Sequence, residues 1–417
     1  MKKLVIFMLV GILILTGCSS ANEIEIRTND DTKSAVSSTD VSSEETPNWP
    51  KAKESDIYKV EVVAENLDIG YVFCDFTEDG YAIVEKDRDN PESLCAYMDT
   101  NGKILGKGFV YKDAYPFDEK SGLAYVVLSD ETQAYIDKNF EVVLKETDIN
   151  TKGIKYDEIL LESFTEGYAV VHLKSEDKSY YGIINSKGKL TAKFNEYYYS
   201  TNYDGTFSKT KYFDDINEGF VKEIVDERGN TITKLAPGEE YLYCGSGFRF
   251  YAFENENHDM VMGLLDEKFN KISDKVYYYQ PYLYTTSDLV CVERYDTDEI
   301  VFINSKGEEK LKIDGITSAS VSGKVISVLK DKYDYIYDMN GKQTSFRGYD
   351  SVYGDINNEY CIVTDNDYDM IVDVYGNIIY QGDSESLGPV VTEESRGSGC
   401  FFVNTKDGYD LIKVVKK

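Results

Sequence analysis

The sequence predicts an all-β fold: a repeat array of antiparallel β-meanders, closed as a β-propeller of about eight blades, with an open β-superhelix as the alternative. Three observations carry this. One form of turn recurs along the chain, strands of period-two apolar alternation flank it, and tyrosine is abundant, with 36 Tyr against 19 Phe and one Trp. Tyrosine and β-branched residues fit a half-buried pleated surface, so this composition favours strands. No window holds the sustained 3.6-residue apolar stripe of an amphipathic helix.

The turn has the form Asp or Asn, two polar residues, then Gly. It reads Asp99-Thr100-Asn101-Gly102, Asp137-Lys138-Asn139-Phe140, Asn185-Ser186-Lys187-Gly188 and Asp226-Glu227-Arg228-Gly229. It continues as Asp266-Glu267-Lys268-Phe269, Asn304-Ser305-Lys306-Gly307, Asp338-Met339-Asn340-Gly341 and Asp373-Val374-Tyr375-Gly376. An Asx side chain caps a type I turn, and Gly accepts the positive φ that closes the hairpin. Where Phe140 and Phe269 replace Gly, the neighbouring Asn139 and Asn270 are expected to take the positive φ. The mean period is roughly 39 residues, the signature of a solenoid or propeller.

Upstream of each turn lies a second repeated strand, as in Phe76-Thr77-Glu78-Asp79-Gly80-Tyr81-Ala82-Ile83-Val84 and Phe164-Thr165-Glu166-Gly167-Tyr168-Ala169-Val170-Val171. Weaker copies include Gly219-Phe220-Val221, Leu289-Val290-Cys291-Val292 and Gly399-Cys400-Phe401-Phe402-Val403, giving nine strand copies against eight turns. A three- or four-stranded meander cannot bury both of its faces, so stacking of copies is required. Ile57 to Val63 alternates like a strand without a turn of its own, and is placed to complete the last sheet and lock a ring.

The combination of Phe-Thr-Glu-Gly-Tyr-Ala-Val-Val from Phe164, Tyr-Gly-Ile-Ile-Asn-Ser-Lys-Gly-Lys from Tyr181 and Tyr156-Asp157-Glu158-Ile159 resembles the WG-repeat (KWG-type) proteins. The resemblance spans roughly Asp56 to Lys417. The family's Trp-Gly itself is absent, with Tyr181-Gly182 and Met262-Gly263 standing nearest. The resemblance implies a propeller-like, surface or exported array, and it transfers no catalytic residue.

The N-terminus reads as an address. A basic start, Met1-Lys2-Lys3, precedes an apolar stretch from Leu4 to Leu15 that is too short to span a bilayer. Leu15-Thr16-Gly17-Cys18 then resembles a bacterial lipobox. This divides the chain into a signal peptide, 1–17; a lipidated Cys18 and disordered tether, 18–55; and the repeat domain, 56–417. Acyl chains on Cys18 would hold the protein at the membrane, on the cell surface. Six further cysteines are scattered without a C-x-x-C pair and read as small buried strand residues.

A formal net charge of −30 repels phosphate backbones, so nucleic acid is excluded as a partner. Only two histidines are present, His172 and His258, in unrelated contexts. No phosphate-binding, dinucleotide or zinc pattern occurs, and no cofactor is expected. The chain therefore reads as a non-catalytic module for binding or scaffolding, with an extracellular protein or glycan as ligand. Two alternatives stand beside it: a propeller enzyme acting on glycans through paired carboxylates, and a calcium-dependent adhesin. Tyr197-Tyr198-Tyr199 and Tyr277-Tyr278-Tyr279 are the candidate ligand platforms, since tyrosine presents a flat face at low entropic cost. Asp365, Asp367 and Asp369 alternate as oxygen ligands of a calcium loop do, and are the candidate metal site.

Overall fold

The computed structural model describes residues 49–417, except 78, 212–221, 281–282, 355–358, 366–367, 383–397 and 407. Cys18 and Asp367 lie outside the described residues. So does the strand copy expected at Gly219-Phe220-Val221.

Among the described residues all strand pairing within the sheets is antiparallel, and the other regular element is one short 3-10 turn, Glu146–Asp148. Blade 3 shows the unit most fully: Glu158–Leu161, Tyr168–Lys174, Ser179–Asn185 and Leu190–Asn195 pair in sequence order. The Asx turn joins the third strand to the fourth. Eight sheets form among the described residues. The seven-stranded one, Tyr71–Cys74 through Val142–Lys145, is two blades held by the single pair Cys95↔Tyr111, so the described residues make nine blades.

The ninth blade explains why nine strand copies share eight turns. Its strands Cys400–Thr405 and Gly408–Lys416 occupy the second and third places. The fourth place is filled by Tyr58–Leu67, paired from Tyr58↔Lys416 to Leu67↔Tyr409.

Packing shows that the ring closes. Strand side chains alternate, so each blade offers one apolar face to each neighbour. Val170 and Ile183 of blade 3 pack on Tyr199 and Phe207 of blade 4, while Val171 and Ile184 pack back on Tyr135 and Leu144 of blade 2. The same exchange runs round to the last seam. Phe401 and Ile412 of blade 9 face Tyr360 and Ile371 of blade 8, and Cys400, Phe402 and Leu411 face Val72, Phe76 and Val84 of blade 1. An open superhelix would leave that last face bare.

Every one of the eight turns forms in the same way. The Asx Oδ1 accepts from the backbone N–H groups two and four residues on, as Asn185 does from Lys187 (3.0 Å) and Lys189 (3.1 Å). Asn185→Ala should cost about 1 kcal/mol, read as a shift in urea midpoint. Contrary to expectation, Phe140 and Phe269 themselves adopt the left-handed conformation, at φ 63° in both cases. Burial offsets the strain. Phe140 sits among Tyr81, Tyr97 and Phe117, and Phe269 lies 5.4 Å from Tyr241. Asn139 and Asn270 instead turn their side-chain amides onto the turn aspartates.

The fourth copy also differs. Its second strand is Phe207–Lys211, opened by Asp204-Gly205. The tether ends earlier than residue 55. Trp49 packs edge-on against Tyr333 and Tyr335 of blade 7, at 5.8 and 6.1 Å. The chain then runs along blade 8 as a strap, with Lys53 carbonyl accepting from Ile378 N–H and Ser55 N–H donating to Ile378 carbonyl, both at 2.7 Å. Ser55 Oγ donates to Asp373 Oδ2 at 2.7 Å, bolting the strap to the eighth turn. All six cysteines among the described residues are buried, and none of them forms a disulfide.

Candidate functional site

The two tyrosine triplets are not brought together. Tyr197–Thr201 is the first strand of blade 4, whereas Tyr277 and Tyr278 end the fourth strand of blade 5. Tyr199 and Tyr277 are core residues. Tyr198 packs edge-on against Tyr181. Tyr197 is exposed, but Lys209 Nζ covers its ring at 4.4 Å. Tyr278 donates to Asp298 Oδ1 at 2.8 Å and stacks edge-on with Tyr295. Neither triplet forms a flat platform.

Tyr279, however, leads into a cleft. Tyr279, Gln280, Leu283, Tyr284 and Thr285, which follow the fifth blade, line a cavity of about 440 Å³. Val290 and Cys291 of blade 6 and Ala319, Ser320 and Val321 of blade 7 line it as well. Burial pushes the Cys291 thiol up to about 12, so it lines the cleft as a neutral group.

Local chemistry holds the segment after the fifth blade in place. Thr285 N–H donates to Cys244 carbonyl at 2.8 Å, and Thr285 Oγ1 donates to Leu289 carbonyl at 2.9 Å. Gly323 N–H donates to Thr286 Oγ1 at 3.3 Å, which ties the segment to blade 7. Gly245, at φ 80°, is required beneath it: a Cβ there would stand 2.3 Å from Thr285 carbonyl oxygen and 2.9 Å from the Tyr284 ring. Tyr284 itself remains exposed.

The aspartate loop is differently engaged. Asp365 Oδ2 accepts from Arg347 Nη2 at 2.6 Å, and Asp369 Oδ1 accepts from Thr364 Oγ1 at 2.8 Å. Among the described residues, no group of three or more His, Cys, Asp or Glu is arranged to hold a metal ion. His172 stacks on Tyr181 at 4.3 Å, and its Nε2 lies 3.0 Å from Ser179 Oγ. His258 pairs with Glu254 in a surface hairpin.

One titratable group escaped sequence reasoning. Glu162 follows the first strand of blade 3, where its backbone carbonyl accepts from Tyr135 Oη of blade 2 at 2.7 Å. Burial pushes its carboxyl from 4.5 up to about 7. The native state therefore holds a proton that the unfolded chain releases, so stability falls as pH rises from about 4.5 to about 7, and is flat above. Glu162→Gln should remove that decline and stabilise the protein by up to about 3 kcal/mol at pH 8, read by urea denaturation across pH.

No family model matches the chain, and no curated protein matches it. Solved structures share a general likeness. A eukaryotic initiation factor aligns with TM-score 0.47 at 10% identity, covering 77% of this chain and 90% of its own. BamB from Moraxella catarrhalis gives 0.33 at 12%, covering 85% and 95%. AztD from Citrobacter koseri gives 0.35 at 11%, covering 87% and 98%. The propeller assignment rests on the strand pairing and cyclic packing above.

Proposed function

We propose that the protein is a bacterial surface lipoprotein of the WG-repeat kind, held to the membrane through Cys18. Its nine-bladed ring serves as a non-catalytic binding module, with an uncharged glycan as ligand in the cleft beside Tyr279 and Tyr284. The observation that carries this reading is the cleft itself. An exposed aromatic ring stands over a pocket edged by an amide, Gln280, and a hydroxyl, Ser320. A sugar offers the matching surfaces, C–H faces for the ring and hydroxyls for the polar rim. The charge of −30 favours an uncharged polymer over an anionic one.

Tyr284→Ala should weaken retention on immobilised neutral glycans at least tenfold while leaving the melting temperature within a degree or two. Unchanged retention would remove the cleft from the proposal. Cys18→Ala should release the protein from the membrane fraction, and continued membrane association would refute the lipid anchor.

A further inference from the structure

A second cavity lies where the N-terminal strap crosses blade 8. Its volume is about 350 Å³, within the range of small-molecule sites. Lys51 and Ala52 of the strap line one side. Tyr349, Met370 and Val372, all buried, give it an apolar lining. Tyr349 Oη is committed to Gly376 carbonyl at 3.2 Å, so its ring rather than its hydroxyl is offered to the cavity.

The charge here runs against the rest of the molecule. In a chain of net charge −30, two cations, Lys51 and Arg347, line one small cavity. Arg347 lies over the Tyr349 ring, with its guanidinium carbon 5.2 Å from the centroid. Its Nε donates to Gly348 carbonyl at 3.2 Å, and its Nη2 to Asp365 Oδ2 at 2.6 Å. Those bonds fix the guanidinium plane. Among the described residues Nη1 has no hydrogen-bond partner, although a guanidinium has five N–H donors to place. With Asp365 counted, the lining still carries one net positive charge.

We propose that this cavity binds a small carboxylate carried on an apolar body. The carboxylate would accept from Arg347 Nη1 and lie beside Lys51, while the apolar part would cover Tyr349, Met370 and Val372. One wall belongs to the strap, so the ligand also bridges the N-terminal segment to blade 8. That segment carries Trp49, the only tryptophan in the chain and a built-in reporter. Two sources present the same chemistry: a free fatty acid, and the C-terminus of a peptide ending in an aliphatic residue.

The test is isothermal titration of the intact chain with sodium octanoate and with N-acetyl-leucine, following Trp49 emission in parallel. Saturable binding of either acid is expected, with octylamine and N-acetyl-leucinamide at least tenfold weaker. Preference between the two acids tells the sources apart. Arg347→Gln should weaken binding at least tenfold. Ala52→Trp, which fills the cavity without touching the ion pair, should abolish binding with the melting temperature unchanged, and so covers the case in which Arg347→Gln fails to fold. No saturable heat up to millimolar acid, equal binding of the amine, or full binding by Ala52→Trp would overturn the proposal.

Discussion

Phe402→Ala should destabilise the protein by about 3–5 kcal/mol, as much as Phe302→Ala should three blades away. Both rings are fully buried. Phe402 stacks on Phe76 with centroids 5.0 Å apart and planes 6° from parallel, and that contact joins the last blade to the first. Phe302 fills the seam between blades 6 and 7. In a linear array, stability is a sum of neighbour terms, and damage at an end interface only frays that end. In a closed ring there is no end, so either cavity weakens one cooperative unit. Urea denaturation should give one transition for each variant, shifted by similar amounts. If hydrogen exchange instead showed Phe402→Ala loosening only Cys400–Thr405 and Tyr58–Leu67, with the other blades still protected, closure through this seam would be wrong.

The closing strand was legible because its signal is local. Ile57 to Val63 alternates, lacks a turn, and is left over when the copies are counted. The eight turns were legible for the same reason: an Asx side chain answers two N–H groups within the next four residues, whatever surrounds it. Phe140 and Phe269 were misread because the rings that pack against them come from elsewhere in the chain, Phe117 and Tyr241. The tether boundary was misplaced because Lys53 and Ser55 are ordered by Ile378 and Asp373, more than 300 residues away in the chain. Composition gives no sign of such partners.

The candidate site was less legible than the fold. Runs of tyrosine mark strands that need aromatic faces, and Tyr199 and Tyr277 spend those faces on the core. The two cavities draw their walls from separate blades or from the strap, so no contiguous motif encodes either. Asp365 drew attention as a metal ligand through its spacing, yet its partner is Arg347, on the approach to the first strand of the same blade.

In the fourth blade a buried carboxylate, Asp204, lies just ahead of an unremarkable strand. Phe207-Ser208-Lys209-Thr210-Lys211 has no apolar alternation, so sequence reasoning passed over it and over the Asp204 that opens it. The Asp204 side chain is almost wholly buried, and every bond it makes crosses a turn or a blade seam. Oδ1 accepts from Thr206 N–H (3.1 Å) and Thr206 Oγ1 (2.6 Å). Oδ2 accepts from Tyr241 Oη (2.8 Å) and Arg249 Nε (2.9 Å) of blade 5. Arg249 lies in turn 5.7 Å from the Phe269 ring, the residue that takes the strained turn position.

Asp204→Ala strips the charge partner from a largely buried guanidinium and an acceptor from a buried phenol. The expected loss is about 3–5 kcal/mol, read from the urea midpoint. Arg249→Met should cost less, because Tyr241 and Thr206 still satisfy the carboxylate. The double variant should be more stable than the sum of the two losses by at least 1 kcal/mol, since neither charge is then left alone. Strict additivity would mean that the two side chains act independently, and that the seam between blades 4 and 5 is held by its apolar contacts, Ile224 and Leu235 against Tyr251 and Leu265.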